Sequence, residues 1–301
     1  MTAPNRLGLL CALSAYVLWG AFPLYFRAVR DVPPLEVLSH RVLGSLVMTL
    51  VGVAVLRDWA PILALLRSPR RLAQLVATVA MLSINWLIYI WAVGAGHVID
   101  SGLGYYICPL MSVLLAAVIL RERIGFGQVV GIVFVTAGVL WQIIAVGQVP
   151  WIALALATTF SLYGLGRKVL ALPAMAGLFA ETLVLAPLAL GYLAWREATG
   201  IGHFIDGDLH HRLLLLLAGP VTAIPLLFFA AAANRLNLQI LGLMQYFNPT
   251  MQVTLALFLF GEEMLPGQVV TFTLIWVGLA LYALLPRLRR TPRLTATDGA
   301  A

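Results

Sequence analysis

Tyr105, Cys108 and Ser112 stand at i, i+3 and i+7, so one helix face carries all three. The equivalent positions further along the chain hold Gln245, Asn248 and Gln252, the same face made strongly polar. Amides donate and accept hydrogen bonds but attack nothing, so this face can recognise a polar group and cannot break a bond. In hydrocarbon each amide costs several kcal/mol unless it is paired. The face must therefore line a wet cavity that holds a solute, or join helices through interhelical hydrogen bonds. Pro249 follows Asn248, and a proline there is expected to free a backbone carbonyl one turn earlier, near Gln245. Pro109 holds the matching position, which makes both prolines candidate hinges.

His40 and Arg41 are the other costly residues, about 10 Å into an apolar span at 1.5 Å per residue. Ionisable groups at that depth are functional candidates by default, with a structural ion pair as the alternative. Glu36 lies four residues before His40 and shares its face, so the two are expected to satisfy each other. Arg41 has no acid within a turn on its own side. It needs a carboxylate from another helix, backbone carbonyls, or the anionic group of a solute. Glu181 is expected nearer the opposite membrane face. Trp19, Asn85, Trp86, Tyr106 and Tyr246 complete the candidate solute-binding set, their rings suited to a planar or partly apolar solute.

Other chemistry lacks its residues. No HExxH, GxSxG or GxxxxGK[ST] occurs, which disfavours an intramembrane enzyme and direct ATP use. A structural or sensory membrane protein is the other competing reading. Cys11 and Cys108 lie inside apolar spans and suggest neither a disulfide nor a metal site. No cofactor and no metal is expected. The basic residues sit in short loops and not in one patch, so the net charge of +7 does not point to nucleic acid.

The elements that must hold these residues are membrane helices. With 62% hydrophobic and 10% charged residues, the chain is too apolar for a soluble domain. Apolar runs of roughly 20 residues recur from end to end. They place spans at 7–27, 35–56, 72–95, 101–120, 127–146, 150–170, 174–194, 211–233, 239–260 and 268–286. The first is followed at once by further spans and lacks a small-residue cleavage site, unlike a signal peptide. Pro23 is expected to kink it. With the N-terminus cytoplasmic, the outer side holds only Arg27, Arg30, Arg196 and Arg212 of the 19 Lys and Arg residues. Apart from the intramembrane Arg41, the rest lie inside, which sets both termini in the cytoplasm. His203, His210 and His211 fall in the longest outer loop and are expected to be solvated.

The chain also repeats itself. Residues Gly102–Val130 return as Gly242–Val270, with Tyr106/Tyr246, Pro109/Pro249 and Glu122/Glu262 in register and Gly127–Val130 recurring whole as Gly267–Val270. Matched Tyr, Pro and Glu at one offset mark a duplication. The same offset sets Pro225 on Asn85. Gly127 and Gly131 form a GxxxG pair, echoed by Gly267 and Thr271, read here as helix packing. Glu122 and Glu262 are read as helix-end packing. Each half has an odd number of spans, so the second half enters the membrane upside down, the inverted-repeat plan of secondary transporters. The expected fold is an all-α integral membrane protein of ten transmembrane helices in two inverted five-helix repeats. Residues 1–147 would form the first repeat, 148–286 the second, and 287–301 a basic cytoplasmic tail.

Paired spans that end in an acidic residue and Gly-Gln, within ten spans, resemble the EamA transporters of the drug/metabolite transporter superfamily. The segments AYVLWGAFPLYF, LSHR, INWLIYIWAV, SGLGYYICPL, RER and QYFNPT are similar to its RarD branch. The resemblance runs from about Leu7 to Leu285, with Cys108 standing where the branch would have Asn before Pro109. It implies a permease of the bacterial inner membrane that moves a small organic metabolite or drug. Members of the branch are commonly named for chloramphenicol sensitivity. The expected partners are that solute, the bilayer, a coupling proton and a second copy of the chain.

Overall fold

The computed structural model describes residues 6–121, 123–205, 207–233, 235–236, 240–241 and 244–288, and these are all-helical, with no strand among them. In chain order the helices are α1 (Arg6–Gly20), α2 (Phe22–Ala28), α3 (Pro34–Leu56), α4 (Ala60–Leu66), α5 (Pro69–Gly94), α6 (Val98–Ile119) and α7 (Phe126–Trp141). A π-helical turn (Gln142–Val146) continues α7. Then come α8 (Trp151–Leu170), α9 (Ala174–Ala198), α10 (Leu209–Ala233), α11 (Phe247–Phe258) and α12 (Pro266–Leu288).

Eight stretches among the described residues are long and apolar enough to cross a membrane. They are Arg6–Ala28, Pro34–Leu56, Pro69–Gly94, Val98–Ile119, Phe126–Ala145, Ala174–Ala198, Leu209–Ala233 and Pro266–Leu285. The sixth expected span is the 20-residue α8, whose last turn carries Arg167 and Lys168. In the ninth, the described helix is the 12-residue α11. Glu122, Gly242, Leu243 and the tail from residue 289 lie outside the described residues. The first span breaks at Ala21, with Pro23 in the first turn of α2, where a missing N–H costs nothing.

Helix starts recur at the offset of the expected duplication. Residues Pro34 and Ala174 open α3 and α9, Pro69 and Leu209 open α5 and α10, and Phe126 and Pro266 open α7 and α12. Pro33 and Pro173 cap α3 and α9 with nearly the same backbone, φ −52° in both and ψ 134° and 147°. Gln128 Oε1 accepts the Gly125 N–H at 2.6 Å, and Gln268 Oε1 accepts the Leu265 N–H at 2.9 Å. The repeated Gly-Gln is thus a helix-start device: each glutamine reaches back to an N–H that the helix itself leaves without an acceptor.

The chain forms two compact units, and each draws on both ends of the sequence. One comprises residues 1–112 and 151–264. Within it α1 packs on α10, α5 on α8, and α3 on both α9 and α10. At the α3–α10 crossing, a Cβ on Gly44 would lie 2.7 Å from Gly219 Cα, so only glycines allow this approach. Tyr106 and Tyr246 stack ring on ring, with centroids 6.3 Å apart. Glu262 accepts the N–H groups of Val98 and Ile99 at 3.0 and 2.9 Å, placing a carboxylate on the positive end of α6. Burial pushes this carboxyl above the usual carboxylate range, against the pull of those two N–H groups.

The other unit comprises residues 113–150 and 265–301 and is built on α7 and α12. Its contacts are reciprocal. A Cβ on Gly138 would sit 3.2 Å from Thr271 O, and one on Gly278 would sit 3.2 Å from Gly131 O. Gly131 and Thr271 are the second members of the two small-residue pairs. Residue i touching j while the equivalent of j touches the equivalent of i is the signature of a two-fold relation.

Candidate functional site

A cavity of about 420 Å³ lies inside the larger unit, within the size range of small-molecule sites. Its lining reaches Ala174 and Met175, the first two residues of α9, and Arg167 in the last turn of α8. Towards the other end of these helices a chain of rings backs it. Phe22 meets Phe26 (5.7 Å), Phe26 meets Tyr89 (5.6 Å), Tyr89 meets Tyr105 (5.6 Å) and Tyr105 meets Phe160 (6.1 Å). All four contacts are edge-to-face, the arrangement aromatic quadrupoles favour.

Seven of the ten candidate residues border the cavity: Trp19, Arg41, Asn85, Trp86, Gln245, Asn248 and Gln252. Gln252 Nε2 donates to Asn248 Oδ1 at 2.7 Å, the i, i+4 pairing that their spacing allows, and Gln252 Oε1 has no partner. Asn85 Nδ2 donates to Leu156 O and Thr159 Oγ1, both at 3.0 Å, tying α5 to α8 and leaving Asn85 Oδ1 unpaired. Asn85 thus joins two helices at the cavity wall, whereas the Gln252–Asn248 bond lies within α11. Pro249 also borders it, whereas Pro109 sits within α6.

Three candidates lie elsewhere. Tyr106 is buried, its hydroxyl 2.6 Å from Thr250 Oγ1, and its ring stacks on Tyr246. His40 lies against Phe204, ring centroids 5.0 Å apart and tilted by 36°, and its Nε2 is buried without a hydrogen-bond partner.

Two expected pairings are corrected. Glu36 does not join His40. Its fully buried carboxylate accepts from Arg196 Nη2 (2.9 Å), the His203 N–H (2.7 Å) and the His203 ring Nδ1 (2.9 Å). His203 is therefore held by the bundle and not left in solvent. An arginine from α9 takes the carboxylate in place of the ring on the same helix, and its charge is permanent. The second correction concerns the carbonyl expected to be free near Gln245. It accepts the Asn248 N–H at 3.2 Å. Pro249 lies in the first turn of α11, where no i→i−4 bond is due.

Arg41 is 4% exposed. Its Nε donates to Thr222 Oγ1 at 2.6 Å, and its Cζ lies 4.0 Å from the Trp86 ring centroid and 5.5 Å from those of Phe22 and Phe26. Its Nη1 is buried with no hydrogen-bond partner. Among the described residues no carboxylate pairs with it. The cavity's acid is instead Glu181, which accepts from Arg167 Nη1 at 3.1 Å and Tyr163 OH at 3.3 Å. A Cβ on Gly177 would overlap Arg167 Nη1, so that glycine makes room for the pair. The sequence reading missed Tyr163, Arg167 and Thr222 as cavity residues. One signal was present, since Tyr163-Gly164 stands in the second half where Trp19-Gly20 stands in the first. No group of His, Cys, Asp and Glu suited to a metal ion occurs among the described residues.

This bundle, with apolar side chains outside and a few charged and amide groups at an internal cavity, defines a multi-pass membrane protein. The model of the EamA-like transporter family matches residues 6–144. Protein RarD of Escherichia coli (strain K12) is 39% identical over 280 residues, 93% of this chain and 95% of that protein. An uncharacterized transporter of Vibrio cholerae is 41% identical over 276 residues, covering 92% and 91% of the two chains. The chain belongs to the EamA-like transporter family, in its RarD group. A solved crystal structure shares its fold at 20% identity, with a TM-score of 0.60 over 96% of this chain and all of the other.

Proposed function

We propose that the chain carries a small organic solute across the bacterial inner membrane by alternating access, as a secondary transporter and not an enzyme. The cavity carries this reading: charged, hydroxyl and amide side chains of α3, α5, α8, α9, α10 and α11 border it inside an otherwise apolar bundle. Trp19, Arg41, Asn85, Trp86, Gln245, Asn248 and Gln252 would contact the solute. His40, Tyr106 and Tyr246 would support the surrounding helices, with Pro109 and Pro249 flexing. The proposed architecture is ten helices in two inverted repeats, 1–147 and 148–286, followed by a cytoplasmic tail, 287–301. The recurring helix starts and the reciprocal Gly138 and Gly278 contacts support it. With both termini cytoplasmic, the cavity lining reaches the inner face through Ala174 and Met175. A coupling proton would find its carboxylate in Glu181, and the chain would work as a homodimer.

Two experiments test this reading. Gln245→Leu and Asn248→Leu should each lower flux of a responsive solute at least about tenfold, by removing a buried amide from the solute's path. Flux would be measured in proteoliposomes from a labelled panel that includes chloramphenicol, with the melting temperature nearly unchanged. Normal flux in both variants would refute the site, and loss of folded protein would assign the amides to helix packing. For orientation, a cysteine at Gly147 should react with an impermeant thiol reagent outside intact cells, and one at Ser68 should not. The reverse pattern would invert the topology.

A further inference from the structure

The cavity's charge does not balance. Among the described residues, three charged side chains border it, Arg41, Arg167 and Glu181. Arg167 and Glu181 neutralise each other at 3.1 Å. Arg41 is left as a buried guanidinium that meets one hydroxyl and three aromatic rings, with Nη1 unused. Cation–π contacts are worth roughly 0.5–2 kcal/mol each, and a single neutral hydrogen bond adds about 1. Neither replaces a counter-ion for a cation withdrawn from water, and a guanidinium cannot shed its charge by losing a proton. Among the described residues, none supplies Arg41 with a negative charge and acceptor oxygens.

We infer that the transported solute is an organic monoanion, a carboxylate or similar acid group joined to a planar apolar body. This rests on the transport reading above and names the solute class for the same cavity. The acid group pairs with Arg41, whose planar fork suits a carboxylate. The apolar body lies among the rings of Trp86, Trp19 and Phe229, the last two 5.5 Å apart at the centroids. A dianion would leave an excess negative charge in a low-dielectric site, and a neutral solute would leave Arg41 uncompensated. Thr222 holds the guanidinium through Nε and leaves Nη1 without an acceptor from the protein.

The test uses matched pairs of an acid and its uncharged amide: phenylacetate with phenylacetamide, and indole-3-acetate with indole-3-acetamide. Binding to the purified full-length protein is read by thermal stabilisation and calorimetry. Flux is read in proteoliposomes with the same compounds and with chloramphenicol, which is uncharged. In the parent protein at least one acid should bind about tenfold or more tightly than its amide, the effect of one charge-assisted pair. Arg41→Gln should erase that preference, and Arg41→Lys should keep part of it, since charge stays and the fork is lost. If Arg41→Gln does not fold, the acid-against-amide comparison in the parent decides alone. Amides binding as well as acids, no acid binding at all, or a folded Arg41→Gln protein that keeps the preference would each overturn the inference. The two readings fail separately. Chloramphenicol flux without acid preference sinks only the anion site, and acid binding without flux of any compound sinks only the transport reading.

Discussion

Replacing Glu36 with alanine should cost the folded protein about 3 kcal/mol, near the lower end of what breaking a buried ion pair costs. The carboxylate is fully buried, and three donors converge on it from Arg196 and His203. Arg196 is itself only 11% exposed in its side chain, and its Nε already has no partner. Removing the carboxylate leaves that guanidinium charged and enclosed. It also releases residues 199–205, which His203 pins to α3. Glu36→Gln keeps an acceptor and should cost less, and His203→Ala less again, because the imidazole is one-third exposed. Thermal unfolding in detergent would rank the three variants, and hydrogen exchange would show the loop opening. A Glu36→Ala protein that melts as the parent does, with the loop equally protected, would remove this cluster from the stability account.

The second large effect is expected at the α3–α10 crossing. A Cβ on Gly44 meets the backbone of Gly219, and a Cβ on Gly219 would lie 2.6 Å from Gly44 Cα, so no side chain can turn aside. Gly44→Val must push the two helices apart. Overpacking of this kind costs about 1–3 kcal/mol, and backbone against backbone belongs at the upper end. The consequence for transport should be larger than that for stability. Arg41 lies three residues before Gly44, and Thr222 three after Gly219, so separating the helices breaks the 2.6 Å bond that orients the guanidinium. Flux should fall at least about tenfold in protein that still folds, since small displacements at a site are costly. Gly191→Ala, where nothing lies within 4 Å of the added carbon, is the control and should change neither property.

Much of the fold could be read from apolar run length, because lipid demands continuous helices of a set length and little else. The Tyr, Pro and Gly-Gln matches led to the expected duplication, and the structure adds what the two glutamines do: each accepts an N–H at a helix start. The amide face was legible because polar side chains in hydrocarbon must have an interior. The partners were harder. His40 shares a helix face with Glu36, but the stronger competitor, Arg196, comes from α9, and no local spacing reveals it. Arg167 was counted with the cytoplasmic loops from its place at the end of a span. Its side chain in fact reaches Glu181 in the cavity wall across Gly177. The short α4 between the second and third spans also went unread, being too brief to register as a period.

Alternating access through this cavity is the central proposal, and a single cysteine tests it most directly. Ala223 borders the cavity and is 3% exposed, and Cys11 and Cys108 are the only native thiols to replace. Ala223→Cys in that background would be treated with an impermeant thiol reagent in right-side-out and inside-out vesicles, with and without a transported solute. Modification should occur from both faces, with the two rates moving in opposite directions when solute is added. Modification from one face only, under every condition, would contradict the account.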